Sequence, residues 1–325
     1  MDFLTQEFLT KPVWMWAAFL TIVAVLLALD LGVLHRKHRE IGVRESLALS
    51  AGYLTLGLAF GGWVWTSLGA QAGMEYLTGF VVEKSLAMDN VFVIAMIFAY
   101  FAIPPHLQHR VLFWGILGVI VLRAIMIAGG AALVSEFGWV LYVFAAFLIA
   151  TGVKMLLMAD KEHSLEDNAL LKLLRKRLSV TSDLHGERFF VKAPHPRTGK
   201  LATFATPLFL ALVLIEVADV IFAVDSVPAI FAITTDPYLV YTSNIFAILG
   251  LRALYFALAA IIHRFAYLKY ALAVLLIFIG SKIFLADLFG LEKFPPQVSL
   301  GVTFAILAAG VFWSLWKTRN GRATS

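Results

Sequence analysis

The sequence predicts an all-α membrane protein of about nine transmembrane helices, and three observations carry that reading. Of 325 residues, 61% are hydrophobic and only 14% charged, where a soluble domain is nearer half apolar and a quarter charged. The apolar residues fall in blocks of 20 or more, long enough to cross a hydrocarbon core of roughly 30 Å at 1.5 Å per residue. Lys and Arg are also sharply partitioned between alternate connections. With no cysteine in the chain, disulfides and thiolate metal sites are excluded.

Taken in order, the spans are read at 12–34, 46–69, 76–101, 108–132, 137–158, 203–233, 238–262, 267–287 and 297–316. The first is not a cleavable signal, because Asp2 and Glu7 stand where a basic leader would be. One side of the membrane receives nineteen Lys and Arg: four around Arg36–Arg44, Arg110, nine between Lys161 and Lys200, Arg264 and Lys269, and three in the C-terminal tail. The other side has only Lys11 and Lys293. The positive-inside rule then puts the N-terminus outside and the C-terminus in the cytoplasm. The formal charge of +5 follows from those loops and implies no nucleic-acid partner, since no basic stripe alternates with aromatics.

The domain organisation is read as an N-terminal two-helix segment (1–75), a three-helix unit (76–158), a basic cytoplasmic loop (159–202), a second three-helix unit (203–288), and a C-terminal helix and tail (289–325). In the loop, Leu170, Leu171, Leu174 and Leu178 recur at helical spacing among Lys172, Arg175 and Lys176, which suits a helix lying on anionic headgroups. Arg188-Phe-Phe-Val-Lys, a Pro/Gly turn and Leu201-Ala-Thr-Phe suit a small hairpin.

The two units echo one another. Glu83-Lys-Ser-Leu-Ala-Met-Asp89-Asn-Val-Phe-Val-Ile aligns without gaps with Asp219-Val-Ile-Phe-Ala-Val-Asp225-Ser-Val-Pro-Ala-Ile. Ile116-Leu-Gly and Leu122-Arg123-Ala answer Ile248-Leu-Gly and Leu251-Arg252-Ala, and Gly152-Val-Lys154 answers Gly280-Ser-Lys282. A unit of three spans repeated in tandem enters the membrane from opposite sides, so the expectation is a pair of inverted repeats with a ligand site where they meet.

An ionisable side chain at the centre of a span costs about 2.5–3.5 kcal/mol on insertion scales. Asp30, Glu83, Asp89, Glu216, Asp219 and Asp225 lie within apolar runs, as do Lys84, Arg123, Lys154, Arg252 and Lys282. Buried ion pairs that fix helix register are one reading of these charges, with Arg123 and Arg252 holding carboxylates. The clustering of acids favours another. Glu216 and Asp219 share a helix face, as do Glu83 with Asn90 and Asp219 with Ser226. Facing carboxylates repel unless a proton or cation intervenes. The expected metal-handling residues are therefore Glu83, Asp89, Asn90, Glu216, Asp219, Asp225 and Ser226, with Asp30, Lys84, Arg123, Asn244 and Arg252 as secondary or counter-charge positions. Pro228 cannot donate to the Val224 carbonyl, so it should kink or break the helix beside Asp225 and free that carbonyl. Oxygen donors of this kind suit Mg²⁺, Ca²⁺ or Mn²⁺. No nucleophile–base pair or organic-cofactor motif accompanies them, so an enzyme is not expected.

At these residues the chain resembles a known family. Glu83-Lys-Ser-Leu-Ala-Met-Asp-Asn-Val-Phe-Val and Glu216-Val-Ala-Asp-Val-Ile-Phe-Ala-Val-Asp-Ser-Val-Pro-Ala-Ile-Phe-Ala look like the two signature motifs of the TerC family. The Thr242-Ser-Asn-Ile-Phe-Ala-Ile-Leu-Gly-Leu-Arg-Ala run resembles its Alx branch, and the likeness extends from about Val13 to Trp316. The resemblance implies a multi-pass protein of the bacterial inner membrane that exports manganese, with the acids above as metal-handling groups and protons as a candidate coupling ion. The other function it implies is a non-transporting stress-response or redox-modulator scaffold of the tellurite-resistance type.

Overall fold

Proline and glycine mark where the helices start and stop. Pro105, Pro207, Pro237 and Pro296 each sit at the first position of a helix, where the missing N–H costs nothing and the fixed φ already suits the turn. Gly69, at φ 95, separates two long helices with a backbone conformation that a side chain would strain. The computed structural model describes residues 5–34, 43–157, 169–181, 183–194, 201–258, 267–291 and 293–320.

The described elements are, in order, β1 (Glu7–Phe8), β2 (Lys11–Pro12), α1 (Val13–Leu34), α2 (Val43–Leu68), α3 (Ala70–Tyr100), α4 (Pro105–Glu136) and α5 (Val140–Leu157). There follow α6 (Ala169–Arg177), β3 (Phe190–Pro194), β4 (Leu201–Ala205), α7 (Pro207–Phe231), α8 (Pro237–Leu249), α9 (Leu251–Leu258), α10 (Leu268–Leu288) and α11 (Pro296–Asn320). Among the described residues, seven helices are long and apolar enough to cross a membrane, with α8 and α9 together making one of the seven. The exceptions are α1, whose apolar stretch is the shorter Val13–Leu29, and α3, which carries Glu75, Glu83, Lys84 and Asp89 along its length. Large apolar side chains face outward, as a bilayer solvent requires: Val121 is 58% and Ile125 64% exposed on α4.

The packing is organised around α3 and α7. Helix α3 packs on α8, α4 packs on α7, and α3 and α7 touch one another. The third helices of the two units, α5 and α10, form the closest pair, and their glycines explain why. A Cβ on Gly152 would lie 2.6 Å from the Ala273 carbonyl and 2.7 Å from Ile277, while one on Gly280 would lie 2.6 Å from the Ala145 carbonyl and 2.9 Å from Ile149. Only a hydrogen at both positions lets the backbones approach this closely. An aromatic cluster of Phe19, Phe60, Tyr76, Tyr238 and Phe246 fills the space between α1, α2, α3 and α8.

The 159–202 loop folds in part as expected and in part differently. β3 pairs antiparallel with β4, from Phe190 opposite Ala205 to Pro194 opposite Leu201, which is the hairpin the sequence suggested. Three of the four leucines of the predicted stripe, however, pack on protein, and the Leu170 side chain lies outside the described residues. Leu171 is 2% exposed, and with Leu174 and Leu178 it joins a core containing Ile97, Leu107, Leu208 and Leu210. An apolar stripe satisfies a protein surface as well as a membrane, and here the ends of the bundle supply that surface. The residues 158–168, 182 and 195–200 of that loop lie outside the described residues.

Two further expectations fail. The sixth span runs over Pro207–Phe231 and not 203–233, because residues 201–205 are committed to β4. Nor does Pro228 break it: α7 continues to Phe231, and the Ala232 N–H closes on the Pro228 carbonyl. Pro228 lies in the last turn, where one ladder bond is lost without interrupting the helix at Asp225. The interruption falls instead at Gly250, between α8 and α9.

Candidate functional site

Two turns of α3 separate Glu83 from Asn90, and two turns of α7 separate Asp219 from Ser226, so each pair shares one helix face. The packing of α3 against α7 brings those faces together, and α4 inserts Arg123 between them. Arg123 is 1% exposed and is the hub of the site. Its Nε and one terminal nitrogen fork onto Asp219, at 3.1 and 3.0 Å to the two carboxylate oxygens. Its other terminal nitrogen donates to Glu83 Oε1 at 2.5 Å, Ser226 Oγ at 2.8 Å and Asn244 Oδ1 at 3.3 Å. The planar fork of a guanidinium is what allows one cation to hold two carboxylates in fixed orientation. The Asn90 amide adds a donor to Asp219 Oδ1 at 3.2 Å.

Arg123 does not satisfy every oxygen. Glu83 Oε2 and Asn90 Oδ1 are buried and receive no hydrogen bond from the described protein groups. Both residues line a cavity of about 60 Å³, together with Arg123, Asp225 and Ser226, and with Leu86, Met155, Phe222 and Leu276 as its apolar wall. Asp225, half-buried, accepts a hydrogen bond from Thr151 Oγ1 of α5 at 3.3 Å. The cavity thus gathers acceptors in excess of donors, in a volume suited to one or two waters or a single ion.

The remaining candidates scatter around this centre. Glu216, one turn before Asp219, points its carboxylate at Gly118 of α4, where even a methyl group would collide with it, and its Oε2 has no described donor. Lys84 donates to the Ala247 carbonyl at 3.0 Å, which caps the C-terminal end of α8 where the helix breaks at Gly250. Arg252 is 3% exposed on α9. The side chains of Asp30 and Asp89 lie outside the described residues, although their backbones belong to α1 and α3.

Among the described residues, which leave out the Asp89 side chain, no three His, Asp or Glu side chains converge as a metal-ion site. The guanidinium of Arg123 separates Glu83 from Asp219, since a cation between two buried acids removes their mutual repulsion at once. What remains for a ligand is a mixed set of carboxylate, amide and hydroxyl oxygens. Thr151, which orients Asp225, was not singled out in the sequence; its one signal was its place beside Gly152 in the third helix of the echoed unit.

The chain is similar to proteins of the integral membrane protein TerC family, whose model matches residues 68–322. An "Uncharacterized membrane protein" of Rickettsia bellii is 49% identical over 300 residues, covering 92% of this chain and 96% of that one. The "Uncharacterized membrane protein STKORF319" of Myxococcus xanthus is 47% identical over 306 residues, covering 94% and 93%. The "Putative membrane-bound redox modulator Alx" of Escherichia coli is 47% identical over 311 residues, covering 93% and 94%. No solved structure matches the chain.

Proposed function

The chain belongs to the TerC family of integral membrane proteins, and from that premise we propose that it exports a divalent cation, Mn²⁺ foremost, across the bacterial inner membrane. The observation that carries this reading is the small cavity beside Arg123. Its wall presents Glu83 Oε2, Asn90 Oδ1 and the Asp225 carboxylate, all acceptors, where a buried acceptor without a donor is costly. A hard divalent cation answers all three at once, and oxygen donors without thiolate or imidazole favour Mn²⁺, Mg²⁺ or Ca²⁺ over copper or zinc. Arg123 serves as the fixed counter-charge that makes Glu83 and Asp219 tolerable together, which leaves the cation to Asp225, the free oxygen of Glu83 and the Asn90 and Ser226 oxygens.

The packing supports a pair of inverted repeats. A two-fold exchange of the units would turn the α3–α8 contact into α7–α4, and both contacts exist. It would also exchange Gly152 and its neighbours Ala273 and Ile277 with Gly280 and its neighbours Ala145 and Ile149, which is the reciprocal pattern observed. Counting α1 and α3 as spans gives nine, with the N-terminus outside. Rocking of one unit against the other would expose the cavity to each side in turn. Exchange with protons is part of the proposal, because carboxylates released by the metal stay in a dry interior and favour protonation.

The test is cellular manganese content after a manganese challenge, with and without the protein. Lower content in cells that carry it supports export, and equal content refutes it. The second reading, a non-transporting scaffold, is favoured by the many bonds of Arg123, which suit a clamp. It predicts that Asp225→Asn inserts normally and leaves manganese unchanged. The absence of cysteine weighs against direct thiol redox chemistry in this chain.

A further inference from the structure

A cavity of about 490 Å³ lies at the other end of α7 from β4, walled by the α4–α5 turn, the α7–α8 turn and the last two turns of α10. Lys282 forms part of that wall. It is 4% exposed, and its ammonium donates to Ser299 Oγ at 3.2 Å. An ammonium carries three donors, so one hydroxyl meets a third of its capacity and none of its charge. The acids nearby are already engaged. Glu75 is held by Lys293 at 2.6 Å and by Gln71 at 3.1 Å, and Asp287 accepts from the Tyr142 hydroxyl at 2.6 Å. Among the described residues no carboxylate lies within ion-pair distance of Lys282; Glu75, whose charge acts on it from further off, is paired with Lys293.

Burial of this lysine is not a demand of the fold that the two units share. Its counterpart in the first unit, Lys154, is exposed. The chain keeps Lys282 in a dry wall beside a second ammonium, Lys293, which also lines the cavity. Asp287 lines the same wall but accepts from the Tyr142 hydroxyl, and Lys293 is paired with Glu75, so among the described residues Lys282 is the ammonium of this wall left without an ion pair.

The geometry points to an oxyanion site: Lys282, with Ser299 and Lys293 beside it, takes the phosphate or carboxylate group of a small anion or of a lipid headgroup in this cavity. Lys282 lies six residues, about 9 Å along the axis, before the end of α10. That depth is within reach of an anion entering from the bundle end or of a headgroup drawn in from the adjacent leaflet. The anion supplies the ion pair that no described carboxylate gives Lys282, and the Thr234 and Thr235 residues of the α7–α8 turn add hydroxyls to the same wall.

The test uses the full chain, purified and stripped of metal, so its outcome is independent of the cation reading. Binding is followed as a rise in unfolding temperature with inorganic phosphate in lipid-free detergent at constant ionic strength, and by native mass spectrometry with phosphatidylglycerol. A response to phosphate identifies a free oxyanion, and retention of phosphatidylglycerol alone identifies a headgroup. Lys282→Met should weaken whichever response occurs by at least about tenfold, the size of a charge-assisted hydrogen bond, while Lys282→Arg should retain it. No response to either probe, or an undiminished one in a folded Lys282→Met protein, overturns the assignment.

Discussion

Replacing Arg123 by Met tests whether the hub holds α3, α4, α7 and α8 together. The substitution removes a buried cation whose three nitrogens reach Glu83, Asp219, Ser226 and Asn244. Glu83, at 1% exposure, and Asp219, at 5%, would then face each other without the charge that reconciles them. Breaking a buried pair by deleting one partner costs about 3–5 kcal/mol, and here two carboxylates are stranded together, which places the expectation at the upper end. The assay is reversible unfolding in a dodecylmaltoside–SDS mixture, monitored by tryptophan fluorescence. Adding Glu83→Gln and Asp219→Asn to Arg123→Met removes the stranded charges and should recover most of the loss, giving a coupling energy of about 2 kcal/mol or more. Arg123→Lys keeps the charge but loses the fork, and should fall between wild type and Met. A loss below about 1 kcal/mol in Arg123→Met, or no recovery on neutralising the acids, would refute the claim that the guanidinium is the structural counter-charge.

Three other outcomes follow from the packing. Gly152→Ala and Gly280→Ala each drive a methyl into a facing backbone carbonyl, so each should destabilise by about 1–3 kcal/mol in the same unfolding assay, and by similar amounts. Lys84→Met leaves the Ala247 carbonyl at the helix break without its donor and should cost about 1–3 kcal/mol, with little change in Arg123-dependent coupling. Leu171→Asp buries a charge beneath α6 and should release that helix, seen as faster tryptic cleavage at Lys172, Lys176 and Arg177 while the rest of the bundle resists.

Much of this was legible in the sequence where information is carried within one helix. The seven-residue spacings Glu83–Asn90 and Asp219–Ser226 fix common faces by helical geometry alone, and both pairs are found in the site. The hairpin of β3 and β4 was legible from two β-prone runs around a Pro/Gly turn. Contacts between helices were less so. Spacing could nominate Arg123 as a counter-charge but could not reveal that it takes both Glu83 and Asp219, because that depends on how α4 is inserted between α3 and α7. Thr151, which the sequence did not single out, reaches Asp225 across a helix boundary for the same reason. The leucine stripe of α6 has one period whether it meets lipid or protein, so Leu171 gave no sign of its burial. Pro228 frees one carbonyl but leaves α7 unbroken at Asp225, because the cost of a proline depends on its distance from the helix end and α7 ends three residues later.

The central claim is that Asp225 and the unpaired oxygens of Glu83 and Asn90 form a path for a divalent cation. Its most direct test is Mn²⁺ flux into proteoliposomes loaded with a manganese-quenched dye, comparing wild type with Asp225→Asn. The account predicts saturable flux in wild type and its loss by at least about tenfold in a variant that inserts and unfolds like wild type, since a charged ligand becomes neutral. Equal flux in the two proteins, or none in wild type under either direction of a pH gradient, would contradict it.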